Sequence, residues 1–197
     1  MRSHQETEVK LRVLNPRKLR QRLKELGFQQ IMPRLWEHNL LFDFPDARLA
    51  RSHRALRLRR VGNECFLTLK GPPRASKRYK MRREFETRIQ DPGALRKILQ
   101  ELQLQETFQY RKHRTTYAPV RSERGRTGLL LYDETPVGKF VELEGPPHWI
   151  DRTARALGYR PEDYITTSYV ALYRQAARRL GRVLNNQRTR RNILIQF

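Results

Sequence analysis

The feature that most constrains this chain is a regular alternation of charged and apolar residues in short runs. In Glu6-Thr7-Glu8-Val9-Lys10-Leu11-Arg12-Val13 every second residue is charged. Side chains on a β-strand point alternately to opposite faces, so Glu6, Glu8, Lys10 and Arg12 share one face and Thr7, Val9, Leu11 and Val13 the other. Leu56 to Arg60, Cys65 to Lys70, Tyr79 to Ile89, Arg111 to Tyr117, Gly128 to Asp133 and Lys139 to Glu144 read the same way. Arg57 and Arg59 oppose Leu56 and Leu58, and Thr68 and Lys70 oppose Leu67 and Leu69. Lys80, Arg82, Glu84 and Glu86 oppose Met81, Phe85 and Ile89. Lys112 and Arg114 are two apart, as are Glu142 and Glu144. Gly, Pro or Asn punctuates most gaps, as in Val61-Gly62-Asn63.

Helices are fewer. Asn15-Pro16 is a cap followed by proline at the first helical position, with Leu19, Leu23 and Leu26 on one face and Gly27 as the stop. Asp91-Pro92 opens a second helix, carrying Leu95, Ile98, Leu99 and Leu102. A third spans about Trp149 to Leu157, and a last one runs from Thr166–Ser168 to about Leu184. Three strands carry Glu-x-Glu (Glu6/Glu8, Glu84/Glu86, Glu142/Glu144), and each is followed by a helix. These elements predict an α+β fold: an antiparallel sheet of about eight strands with helices packed outside.

An antiparallel sheet with one solvated face has the same alternation. Composition argues for more than that. Nearly every polar-face position is a full charge, and the carboxylates come in i, i+2 pairs, which repel unless a cation lies between them. The basic positions fall mostly on other strands, as a bound polyanion requires. A closed eight-stranded barrel would turn the charged face into a lining with room for one small ligand.

The chain has 197 residues and a net charge of +22, which implies polyanionic partners without naming them. Its hydrophobic fraction of 38% suffices for a core. No apolar run reaches the ~20 residues of a membrane helix, and the N-terminus lacks a signal-peptide stretch. Cys65 is the sole cysteine, so no intrachain disulfide forms and a cytoplasmic location is expected. Residues 1–173 are expected to form the domain and 174–197 a basic helix end and tail, with seven arginines and no acid. That tail could contact nucleic acid, although a solvated basic extension is the favoured reading.

Glu6-x-Glu8-x-Lys10 resembles the opening strand of the CYTH superfamily, the triphosphate tunnel metalloenzymes, which include class IV adenylyl cyclases, thiamine triphosphatases and inorganic triphosphatases. Leu56-Arg57-Leu58-Arg59 is similar to the family's Leu-Arg-x-Arg strand. Leu67-Thr68-Leu69-Lys70-Gly71-Pro72 resembles a segment of the cyclase branch, and Arg83-Glu84-Phe85-Glu86 the family's Arg-x-Glu region. Lys112-x-Arg114, Tyr132-Asp133, Gly138 to Glu144 and Ser168-Tyr169 follow in the family's order, so the likeness covers about Glu6 to Tyr173. It implies an eight-stranded antiparallel tunnel. It implies Mg²⁺ or Mn²⁺ held by Glu6, Glu8, Glu142 and Glu144, with Asp133 as a further member. Triphosphate contacts would come from Arg57, Arg59, Lys70, Arg82, Lys112 and Arg114, support from Glu84 and Glu86, and a catalytic charge from Lys10. The stretch Glu37-His38-Asn39-Leu40-Leu41-Phe42-Asp43 departs from the family pattern.

The expected function is metal-dependent hydrolysis of a triphosphate, either inorganic, nucleoside or thiamine. One alternative is a class IV cyclase that makes cyclic AMP and pyrophosphate from ATP. Another is a non-catalytic module binding polyphosphate or nucleic acid. No Gly-x-x-x-x-Gly-Lys-Ser/Thr loop is present. The oligomeric state is open, a dimer included. Lys80 and Arg12 are expected at the tunnel rim, Trp36 and Trp149 in core or helix packing, and Cys65 as a small buried hydrophobe.

Overall fold

A computed structural model describes residues 2–76, 78–120 and 128–185. Among the described residues eight strands close into an antiparallel barrel: β1 (Arg2–Arg12), β2 (Phe28–Asp43), β3 (Ala55–Val61), β4 (Glu64–Lys70), β5 (Lys80–Ile89), β6 (Gln105–Pro119), β7 (Leu129–Thr135) and β8 (Gly138–Glu144). The order around the barrel is β1-β5-β4-β3-β2-β6-β7-β8, and β8 pairs back onto β1. The predicted α+β tunnel is therefore the fold observed.

Helices α1 (Pro16–Glu25), α2 (Arg48–Arg51), α3 (Pro92–Glu101), α4 (Pro147–Ala156) and α5 (Tyr169–Asn185) accompany the strands. Capping explains where α1 and α3 begin. The Asn15 side chain accepts a hydrogen bond from Lys18 N at 3.0 Å, and Asp91 accepts one from Ala94 N at 2.9 Å. Proline opens both helices, where its missing N–H costs nothing. The tail arginines Arg188, Arg190 and Arg191 lie outside the described residues.

The apolar faces form the core outside the tunnel. Val9, Leu11, Leu143 and Val141 pack with Leu19 and Leu23 of α1 and with Trp149, Ile150 and Ala154 of α4. Each fully buried Leu, Val or Ile side chain contributes roughly 1.5–3 kcal/mol. Trp149 and Cys65 are buried as expected. Gly128 lies against Trp149 and the backbone oxygen of Glu144, a contact that leaves no room for a Cβ.

Two expectations need correction. The longest strand, β2, has no counterpart among the predicted runs. Its register shifts between Gln30 and Met32, between Met32 and Leu35, and between Leu41 and Phe42, and each irregularity breaks the two-residue period. Trp36, expected in packing, is 40% exposed, with its ring beside His38 and the Arg111 guanidinium above it. Its strand neighbours Leu35 and Glu37 face the tunnel, so alternation turns Trp36 to the outer surface.

Candidate active site

The barrel gathers the charged faces into one cavity of about 650 Å³, lined by Glu6, Glu8, Lys10, Glu37, Arg57, Arg59, Lys70, Lys80, Arg82, Glu84, Glu86, Lys112, Arg114, Glu142 and Glu144. Two walls emerge from the strand order. The three Glu-x-Glu strands are neighbours, β5-β1-β8, and form an acidic wall. Across from them, β3-β2-β6 carries Arg57, Arg59, Lys112 and Arg114.

On the acidic wall, one carboxylate oxygen each from Glu6, Glu8 and Glu144 lies within 4.8 Å of the others. Register explains this cluster: Glu8 pairs with Glu144 across β1 and β8, and Glu6 sits two residues earlier on the same face. Burial and the neighbouring Glu6 and Glu8 charges push the Glu144 carboxyl up to about 8, against the pull of Arg114. Burial and its contact with Glu6 push Glu84 up to about 7, although Lys70 draws it down. Burial opposes ionisation of Glu6 too, but Lys70 at 3.1 Å overrides it and holds that carboxyl low.

Lys10 is wholly buried. Its Nζ donates to Glu142 Oε1 at 2.6 Å, stands 3.8 Å from Glu8 and lies over the Tyr169 ring. Burial alone would lower its pKa, but Glu142 and Glu8 raise it, so Lys10 stays cationic. Lys80, expected at the rim, lies inside the lining and donates to Glu8. Arg12 is exposed, with its guanidinium over Phe140.

Asp133 sits beside the cationic wall. Arg114 grips it in two hydrogen bonds of 2.6 Å, Lys112 donates at 2.8 Å, and the Tyr169 hydroxyl at 2.5 Å. Glu142 also accepts from Arg114. Asp133 and Glu142 thus stand outside the Glu6–Glu8–Glu144 oxygen cluster, in which Glu6 pairs with Lys70, Glu8 pairs with Lys80, and Glu144 has no ion pair among the described residues. Glu86 accepts from Arg59 at 3.2 Å and from Thr68 at 2.7 Å, and Lys70 donates to Glu84. α5 closes one end of the tunnel, where Tyr169 and Tyr173 pack with Tyr110 and Phe140.

Three guanidinium Nε–H groups, of Arg57, Arg59 and Arg82, are buried without a hydrogen-bond partner among the described residues. Buried donors are rarely left unpaired, since each costs about 1–3 kcal/mol. Glu37, absent from the sequence-based candidates, is also in the lining, with Lys112 3.5 Å and Arg59 3.8 Å away. Its two-residue spacing to Asn39 was visible, but β2 itself was not.

The family model described as the CYTH domain matches residues 4–169. A protein of Methanocaldococcus jannaschii, named as a candidate adenylate cyclase, is 32% identical over 173 residues, 85% of this chain and 97% of the relative. A solved structure from Pyrococcus horikoshii superposes with a TM-score of 0.71 at 26% identity, over 87% of this chain and 99% of that one. Another, a candidate adenylate cyclase from Vibrio parahaemolyticus, gives 0.72 at 18% identity, over 85% and 97%. The family match covers most of the barrel, and the tunnel geometry agrees with it: the chain belongs to the CYTH domain family.

Proposed function

We propose that this tunnel binds a triphosphate together with divalent metal and hydrolyses it. One observation carries the reading: a single cavity holds both an under-neutralised carboxylate trio and three buried guanidinium N–H donors without acceptors. Among the described residues Glu144 has no ion-pair partner, Glu6 and Glu8 have only lysines, and the three Nε–H groups have no acceptor.

The trio fits a hard divalent ion. Its donors are all carboxylate oxygens, which suit Mg²⁺ or Mn²⁺, and the raised Glu144 carboxyl is the expected sign of like charges beside a carboxyl that no side-chain cation pairs among the described residues. When bound, such an ion would neutralise phosphate oxygens and lower the pKa of water. Arg57, Arg59 and Arg82 would orient the phosphate chain through N–H donors already fixed in the lining. Lys10, held by Glu142, would place a positive charge where negative charge grows on the transferred group. Hydrolysis forms one P–O bond to water, breaks one P–O–P bond and releases a proton.

A second reading is cyclisation. The M. jannaschii relative carries a cyclase name, and Leu67 to Pro72 resembles the cyclase branch. Here a ribose hydroxyl attacks the α-phosphorus and pyrophosphate leaves, so the same lining serves both reactions. The test is product identification after incubation of tripolyphosphate and of ATP with Mg²⁺ or Mn²⁺. Orthophosphate without cyclic AMP supports hydrolysis. Cyclic AMP with pyrophosphate supports the second reading. No turnover of either compound with either metal overturns both.

A further inference from the structure

The tunnel lining contains an acceptor that an inorganic triphosphate cannot satisfy. Glu37 is 3% exposed, and its Oε2 has no hydrogen-bond partner among the described residues. Its nearest cations, Lys112 at 3.5 Å, Arg59 at 3.8 Å and Arg114 at 4.0 Å, are ion-pair neighbours only. Two residues on, along the same run of β2, Asn39 is fully buried with both amide atoms unpartnered among the described residues. Phosphate oxygens could satisfy the orphaned arginine donors. They cannot satisfy Glu37, because a carboxylate accepts hydrogen bonds and an inorganic triphosphate near neutral pH offers almost none. An inorganic triphosphate would instead add negative charge beside a buried anion. A ligand O–H or N–H would supply the hydrogen-bond donor that Glu37 Oε2 lacks among the described residues.

The surroundings of Glu37 point the same way. Leu35 precedes it on the same face, and Val61 is its register partner on β3. Beyond them the mouth opposite α5 is lined by Ile31, Met32, Leu129 and Leu131. Ile31 and Met32 are each 46% exposed and Leu129 38%. A bare polyphosphate gains nothing from apolar walls, whereas a flat organic group would bury them. Glu37 therefore stands at the boundary between a phosphate-binding middle and an apolar mouth.

We infer that Glu37 is a specificity-determining residue: it accepts a hydrogen bond from the organic part of a nucleoside-type triphosphate whose base lies against the Ile31–Met32–Leu129 mouth. This rests on the triphosphate reading above and narrows its substrate class.

The test compares ATP with tripolyphosphate on the full chain with Mn²⁺, by kcat/KM. The wild type should favour ATP. Glu37→Gln keeps the shape but removes the anionic acceptor, and the ATP-to-tripolyphosphate ratio should fall at least about tenfold. Changed electrostatics at the phosphates affect both substrates and largely cancel in the ratio, so a purely structural Glu37 would leave it unmoved. Met32→Ser, at an exposed position that should not disturb folding, should lower the same ratio about threefold or more. A wild type that prefers tripolyphosphate, or ratios within about twofold of wild type in both variants, would overturn the inference. If neither compound is turned over, the catalytic reading fails by itself. The ratio of the two dissociation constants, measured by calorimetry on the same proteins, then decides the role of Glu37 by the same criteria.

Discussion

The two walls of the tunnel use the same residue types to opposite ends. Along β5-β1-β8 the carboxylates already engage lysines: Glu142 engages Lys10, Glu8 engages Lys80, and Glu84 and Glu6 engage Lys70 of the adjacent β4. One carboxyl is left over, and its proton affinity rises to about 8 at Glu144. On β3-β2-β6 the cations outnumber the acids. Burial would raise the Glu37 carboxyl, but Lys112, Arg114 and Arg59 pull it down to about 2. A carboxylate therefore reports its own cation partners: despite burial, Glu6, Glu8 and Glu142 on the acidic wall are also held low, by Lys70, Lys10 and Lys80, while Glu144 has none as close. The acidic wall is short of a cation and the basic wall of an anion, and a metal–triphosphate complex would supply both.

The largest expected effect comes from removing Lys10. Lys10→Met should lower turnover on the best triphosphate at least about a hundredfold, because it deletes a fixed charge in a buried site. Lys10 is also half of a buried pair with Glu142, so the apo protein should lose on the order of 3 kcal/mol. Turnover should be measured well below the melting midpoint. Near-normal turnover would remove Lys10 from the site. On the opposite wall, Arg59→Met should act mainly through KM, raising it about ten- to a hundredfold, as loss of a charge-assisted hydrogen bond predicts. An effect confined to kcat would show that Arg59 does not hold the ground-state phosphate.

Much of this contrast was legible from the residues. The Glu-x-Glu and Arg-x-Arg spacings mark inward faces because a strand repeats every two residues, and Asn15 and Asp91 mark helix starts through side chains that cap them. The walls were not legible. Glu8 and Glu144 lie on strands that meet only when the barrel closes, and no local pattern reports that seam. Glu37 was hidden because β2 contains Pro33 and three register shifts, so its alternation never becomes regular. Glu142 was grouped with Glu144 by the two-residue spacing and by the family resemblance; in the folded barrel its oxygens accept from Lys10 and Arg114.

A smaller effect concerns pH. Glu144 keeps its proton in the folded apo protein up to about 8, whereas the unfolded chain releases it near the ordinary value of 4.5. Between those values the native state binds the extra proton, so Glu144 contributes a loss of apo stability as pH rises through that window. Glu84, raised to about 7, contributes with the same sign. Thermal melts of metal-free protein between pH 5 and pH 9 should show a shallower fall for Glu144→Gln than for the wild type. Identical slopes would mean that the like charges around Glu144 are not felt. A packing change beside the acidic wall should be smaller still. Gly128→Ala forces a Cβ against Trp149 and the backbone oxygen of Glu144 and should cost about 1–3 kcal/mol by denaturant melts, whereas an unchanged midpoint would mean that the close contact is not felt.

The proposed divalent cation site of Glu6, Glu8 and Glu144 is read most directly from the melting temperature with and without Mn²⁺ or Mg²⁺ at neutral pH. A ligand that binds only the native state at about a hundred times its Kd adds ~2.7 kcal/mol of stability. The wild type should melt several degrees higher with metal, and Glu144→Gln, whose apo form should be as stable as the wild type or more so, should gain little. Equal metal-induced gains in the two proteins would place the cation elsewhere and contradict the account.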